Sequence, residues 1–283
     1  MRKGILMAVL CFFIISLFMP AASFAATVGN PSTTDIPEGV GVFSMKRDSQ
    51  TTIKISEDIE HIFDRDLVAG PSLTSSIQID QAQWYMTKIY YGILNDRVQP
   101  YLQLGAAHME VSWNENGVPV EFESDTAFAW GLGVKALVWE IRDPKIKIVA
   151  DGVYRMADLN AEDANINGST TVLDTSRSRF FLREWQLSVL AAGELDVTGG
   201  MREEVLGISK LVPYVGVKYS DVSGRFRATT PNGTYYNPGE FESDENIGFF
   251  VGCDILGTDS VLLNVEGRFV DENALTGGIA ILF

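Results

Sequence analysis

Between Val261 and Phe269 apolar and polar residues take turns: Val261, Leu263, Val265, Gly267 and Phe269 fall on one parity, Leu262, Asn264, Glu266 and Arg268 on the other. Alternation at period two predicts a strand with two unlike faces. The split recurs along the chain. Phe128, Trp130, Leu132, Val134, Ala136 and Val138 oppose Ala129, Gly131, Gly133 and Lys135. Ile146, Ile148, Ala150 and Tyr154 oppose Lys147, Asp151 and Arg155. Trp185, Leu187 and Val189 oppose Glu184, Gln186 and Ser188, and Val215, Val217 and Tyr219 oppose Tyr214, Gly216, Lys218 and Ser220. The last stretch repeats the pattern, with Leu275, Ile279, Ile281 and Phe283 sharing a parity.

A soluble β-sandwich also alternates, but its outer face should carry Lys, Glu and Thr and its inner face bulky apolar groups. Here the polar face mixes charges with Gly and Ala, while the apolar face runs to aromatics. Aromatics also gather near strand ends, at Tyr85, Tyr91, Tyr101, Trp113, Trp139, Tyr154, Trp185 and Tyr219. Girdles of that kind, around an outward apolar band and a crowded polar lumen, predict an antiparallel transmembrane β-barrel. Strands fall near 273–283, 261–270, 245–254, 211–222, 183–194, 145–157, 125–140, 98–113 and 82–94. Both ends on one side of a membrane require an even number, so a tenth is expected within Val40–Ser56, where T-T-I-K-I-S alternates. Ten strands is the expectation, with eight or twelve as alternatives, since Leu73–Ile79 offers a further strand. The connections alternate between tight turns (Asn95–Arg97, Arg142–Pro144, Leu256–Asp259) and long polar stretches (Asn114–Ser124, Asp158–Phe181, Ser223–Asp244). Asp196–Lys210 breaks the rhythm and has room for a short helical piece.

The first residues bear on location. Arg2 and Lys3 precede an apolar run from Ile5 to Met19, and Pro20 with A-A-S-F-A-A supplies small residues for cleavage after Ala25. That predicts a secretory signal peptide over residues 1–25, a periplasmic segment over 26–39 and the barrel over 40–283. Of the two cysteines, Cys11 leaves with the signal, so Cys253 has no intrachain partner. The chain holds 22 basic and 37 acidic residues, and losing Arg2 and Lys3 leaves 20 against 37, a net charge of about −17. Such a charge argues against nucleic acid as a partner.

The ending T-G-G-I-A-I-L-F resembles the terminal signature of bacterial outer-membrane β-barrels, in which Thr276, Gly278, Ile281 and Phe283 fill the polar, glycine and two apolar places. Pro100-Tyr-Leu-Gln-Leu-Gly105 and Pro213-Tyr-Val-Gly-Val217 are similar to the upward strands of small porin-like members. The resemblance implies insertion by the barrel-assembly machinery, contact with outer-membrane lipids and lipopolysaccharide, and passage of small solutes or anions if the lumen is open.

Candidate chemistry is sparse. Omptin-like proteases use a His with several Asp at the outer rim, and lipid A deacylases pair a His with a Ser, so a surface hydrolase is the alternative function. His61 lies among Glu57, Asp58, Glu60, Asp64 and Asp66, a set able to orient a general base. The near-helical spacing of Ile59, Ile62, Phe63 and Leu67 instead predicts a charged amphipathic lid over Glu57–Asp66. His108 follows Leu102 and Leu104 in parity while Met109, Val111 and Trp113 take the other, which predicts a bulge between them. No phosphate loop and no cysteine or histidine set for a metal is evident, and no cofactor is expected. Acidic loops would attract divalent cations or simply stand solvated. Neither histidine is assigned a catalytic duty. The parities send Lys88, Lys135, Lys147, Arg155, Lys218 and Arg268 inward with Asp151, Glu184 and Glu266. Two readings follow: a plugged anchor held by ion pairs, or a narrow, anion-tilted pore.

Overall fold

The computed structural model describes residues 52–69, 77–94, 96–115, 117–141, 145–196, 208–230, 235–257 and 261–282. The signal peptide, the periplasmic segment 26–39, most of Val40–Ser56, most of Asp196–Lys210 and Phe283 lie outside the described residues.

Among the described residues fourteen strands form one antiparallel sheet: β1 (Thr52–Ala69), β2 (Ile77–Gly92), β3 (Val98–Glu115), β4 (Val118–Ser124), β5 (Ala127–Ile141), β6 (Ile146–Ile166), β7 (Ser169–Val172), β8 (Arg179–Gly193), β9 (Leu195–Asp196), β10 (Ile208–Thr229), β11 (Tyr235–Ser243), β12 (Ile247–Gly257), β13 (Val261–Phe269) and β14 (Asn273–Leu282). Hydrogen bonding runs β1–β2–β3–β5–β6–β8–β10–β12–β13–β14 and returns to β1, a closed ring of 10 strands with no free edge. At the end away from Thr52 and Leu282 the ring is smaller. There β4 replaces β5, and β11 pairs directly with β1 (Leu67↔Ser243 to Ala69↔Phe241), so the ring passes through β1, β2, β3, β4, β6, β8, β10 and β11. The β13–β14 hairpin stops beneath this clasp.

Two different sections therefore stack along one barrel. In the near section, which holds Thr52 and Leu282, the outward residues are mainly apolar: Leu132, Val134, Leu187, Val189, Val215, Val217, Val251 and Val265 are all exposed. In the far section the facing of polarity is reversed. Val120, Phe122 and Phe226 are buried inside, while Glu121, Glu123, Glu162, Arg225, Arg227 and Glu242 are exposed. Irregularities cluster where the sections meet: at Ile62/Asp64 in β1, at Ile79/Gln81 in β2, and at Glu123/Ser124 between β4 and β6. A bulge admits one extra residue and turns the following side chains to the opposite face.

Several sequence expectations change accordingly. Asn114–Ser124, Asp158–Phe181 and Ser223–Asp244 are largely paired strand, not loop. They read as polar because their outward residues face water, while the alternation persists. The acidic segment Glu57–Asp66 is not a lid but the middle of the first strand, because its inward positions Asp58, Glu60 and Arg65 are charged and its apolar spacing only mimics a helix. Of Leu73–Ile79, Ile77–Ile79 opens β2 and the remainder lies outside the described residues. Met109, Val111 and Trp113 need no bulge in β3. They continue the inward parity of Gln99, Tyr101 and Gln103 into the far section, where the interior becomes apolar. Tyr101 and Trp113 consequently face inward, whereas Tyr85, Tyr91, Trp139, Tyr154, Trp185 and Tyr219 are exposed on the outside.

The inward glycines make room for neighbouring rings. A Cβ at Gly133 would lie 2.1 Å from the Tyr101 ring, and one at Gly252 2.4 Å from the Tyr214 ring. Those contacts explain why the polar face mixes charges with Gly.

Candidate functional site: the packed interior of the barrel

Lys88, Lys135, Lys147, Asp151, Arg155, Glu184, Lys218, Glu266 and Arg268 all lie inside the ring and are buried. They sit at alternate positions of strands whose other face carries the apolar band, so pleating alone brings them together. Seven further buried charges join them: Lys54, Asp58, Glu60, Arg65, Asp254, Asp271 and Glu272. Among the described residues eight buried cations thus meet eight buried anions, and the excess of six cations over three anions read from the sequence is not there.

The densest group lies in the middle of the barrel. Glu184, 2 % exposed, accepts from Arg65 Nη1 at 3.0 Å, from Arg155 Nε at 2.6 Å and from Ser220 Oγ at 3.0 Å. Arg155 makes a second close pair with Glu60 and stacks over Trp84, 4.2 Å from the ring centroid. Arg65 also donates to Glu272 at 2.9 Å and to Ser220 at 2.6 Å. Arg268 donates to Glu272 at 2.7 Å, with Glu60 at 3.3 Å, and Lys218 pairs with Asp271 at 2.8 Å and closely with Glu272.

Asp271 and Glu272 belong to the turn between β13 and β14, which projects its carboxylates into this group. Val270 in that turn has φ 88°, a conformation strained for a β-branched residue. The ion pairs at Asp271 and Glu272 hold the turn in place. Burial, with Glu272 alongside, lifts the Asp271 carboxyl above its ordinary range. Burial opposes ionisation of Glu272 as well, but Arg268, Lys218 and Arg65 together outweigh it and hold that carboxyl well below the usual range.

Towards Thr52 and Leu282 the interior is half polar and half apolar. Lys88 pairs with Asp58 at 3.0 Å, Lys135 lies 3.9 Å from Asp151, and the Tyr101 hydroxyl donates to Asp151 at 3.0 Å. Lys54 sits 4.0 Å over the Tyr90 ring. Opposite them Leu137, Val149, Leu190, Ala192, Val212 and Phe250 pack together. Above the ion group the interior is an aromatic and aliphatic plug. Phe226 lies 5.4 Å from Trp113, 4.5 Å from Phe122 and 5.9 Å from Phe180, which stacks on Phe241 at 5.3 Å.

Of the terminal signature, Thr276 is buried inside, Gly278 leaves room for Asp58 (a Cβ there would lie 2.4 Å from its carboxylate), and Ile281 is exposed on the outer face. His61 packs edge-on against Phe63 at 4.4 Å. His108 Nε2 lies 3.9 Å from Glu110, and the structure brings both beside Glu123.

Comparison with known proteins agrees with this architecture. The chain is 22% identical to the major outer membrane porins of Chlamydia trachomatis serovars E and L1, over 55% of its own length and 51% of theirs. It thus spans about half the length of the curated relatives it matches. No protein-family model matches. Among solved structures, the outer membrane protease OmpT of Escherichia coli is similar at 9% identity and TM-score 0.44, over 82% of this chain and 96% of that one. The translocator domain of the autotransporter NalP of Neisseria meningitidis follows at 10% identity and TM-score 0.38, over 84% and 90%. Both likenesses are too distant to carry an argument. The closed ring, its outward apolar band and the porin relatives decide the matter. The chain is a bacterial outer-membrane β-barrel. An outward band of valines and leucines with Tyr and Trp at its margins is the surface that barrels of this kind present to lipid.

Proposed function

We propose that this barrel is a closed structural protein of the outer membrane, a filled anchor that carries a rigid β-section out of the bilayer. One observation supports this above others: among the described residues the inward side chains are buried, with paired charges in the middle and a phenylalanine–tryptophan plug above them. Buried ion pairs are stable only when fully partnered, and a conducting path would have to hydrate and separate them. The chain is exported by a leader cleaved after Ala25 and inserted by the barrel-assembly machinery, which reads Thr276, Gly278, Ile281 and Phe283. The near section points to the periplasm and the far section to the cell surface, in contact with lipopolysaccharide.

The test is single-channel recording of the refolded protein in planar bilayers. The closed reading expects no stable conductance steps, and reproducible steps from the wild type would overturn it. The second reading, a narrow porin-like channel, draws on the curated relatives, which are named porins, and the same recording decides between the two. Neither histidine is given a catalytic duty. Peptide cleavage or lipid A deacylation by the wild type, lost on replacing His61 and His108 with Asn, would replace both readings with that of a surface hydrolase.

A further inference from the structure

The far section carries a set of side chains that the closed barrel does not use. Glu110 on β3 and Glu123 on β4 are register partners, directly opposite one another across an antiparallel pair. Like charges in that position repel and destabilise the pairing. Among the described residues no Lys or Arg forms an ion pair with either, and His108 Nε2 lies 3.9 Å from Glu110. His108 lies two residues before Glu110 and shares its face, while Met109 and Val111 point into the core. One donor atom from each of His108, Glu110 and Glu123 lies within 4.8 Å of the other two.

The site is also held firmly. The Met109 N–H donates to Ser124 Oγ at 2.8 Å, and the Asn160 N–H donates to Asp125 Oδ1 at 2.8 Å, fixing the end of β4 beside the set. The sequence hid the group because its third member comes from another strand and neither histidine has a second histidine or a cysteine nearby.

We propose that His108, Glu110 and Glu123 bind one divalent cation of the zinc type on the outer face of the surface-exposed section. An imidazole nitrogen with two carboxylate oxygens is a donor set that zinc accepts, with water completing the coordination. Calcium and magnesium, which prefer oxygen alone, should bind less well. The cation would also neutralise the opposed carboxylates and so tie β3 to β4 above the membrane.

The experiment is calorimetric titration of the full-length, refolded and chelator-treated protein in lipid vesicles with zinc chloride alone, repeated with calcium chloride. The wild type should bind about one equivalent of zinc, and His108→Ala and Glu123→Gln should each weaken binding by at least about tenfold. His61→Ala should leave it unchanged. Circular dichroism and heat-dependent gel mobility establish that each variant is folded. Cobalt substitution supplies a second readout: visible absorption bands from the wild type that disappear in His108→Ala. Zinc binding that is unaltered by His108→Ala, or calcium bound more tightly than zinc, would overturn the assignment.

Discussion

The two sections of this barrel solve the same packing problem with opposite chemistry. In the near section Val265 is 47 % exposed and its neighbour Glu266 0 %. In the far section Phe122 is buried while Glu121 and Glu123 are exposed. Strand pleating is identical in both, so on the proposed function the difference comes from the solvent. Lipid accepts the apolar face outside, and the interior must then satisfy its charges by pairing them. Water accepts the charged face outside, and the interior can then be filled with Phe, Trp, Met and Leu, as in any soluble protein. The bulges in β1 and β2 and the break between β4 and β5 lie where one solution gives way to the other.

The largest predicted effect attacks the near-section solution. Glu184→Leu leaves Arg65 and Arg155 each short of a carboxylate in a buried site, and removing one member of such a pair destabilises by about 3–5 kcal/mol. Reversible unfolding in lipid vesicles measures it. An effect near zero would mean that water reaches the arginines and that the interior is wet, against the closed reading. Phe226→Ala attacks the far-section solution by opening a cavity among Trp113, Phe122 and Phe180, at about 3 kcal/mol. If Phe226→Ala were neutral, the plug would be loosely packed, and the contrast between the two interiors would fail.

How much of this was legible in the sequence depends on the section. β13 and β14 lie wholly in the near section, so one rule of facing describes them from end to end, and their predicted bounds fall within a residue of the observed ones. β3 crosses between sections, and its change from Tyr101 and Gln103 to Met109 and Trp113 looks like a slip of register when it is a change of surroundings. β1 was hidden for another reason. Its inward residues Asp58, Glu60 and Arg65 are charged, and charge reads as loop unless partners on distant strands are known. Arg65 meets Glu184 and Glu272 across separations of 119 and 207 residues, and no local pattern encodes that. The His108 set is local in space and distant only by one hairpin, yet the polar outward residues of the far section look like loop in sequence, which hides their cross-strand pairing.

A third, intermediate effect tests facing in the near section. Val265→Arg puts a cation against lipid and should lower stability by about 2–4 kcal/mol near the midplane. Glu266→Gln should have a smaller effect, because Arg268 keeps Glu272 and Glu60 as partners. The reverse order of the two effects would invert the faces and undo the membrane assignment of this section.

The smallest predicted effect is the sharpest probe of the comparison. Val172 on β7 is 66 % exposed, as apolar as Val265 and as accessible, but it lies in the far section opposite Asp163. If its surroundings are water, Val172→Arg introduces a solvated cation next to a carboxylate, and exposed substitutions of that kind usually stay within about 0.5 kcal/mol. The same substitution at Val265, 47 % exposed and paired on both sides within the ring, is expected to be several times more damaging. Measuring both by unfolding in the same vesicles removes differences of method. Equal and large losses would mean that lipid covers β7 too, and the far section would then be a continuation of the spanning barrel rather than a water-exposed β-section.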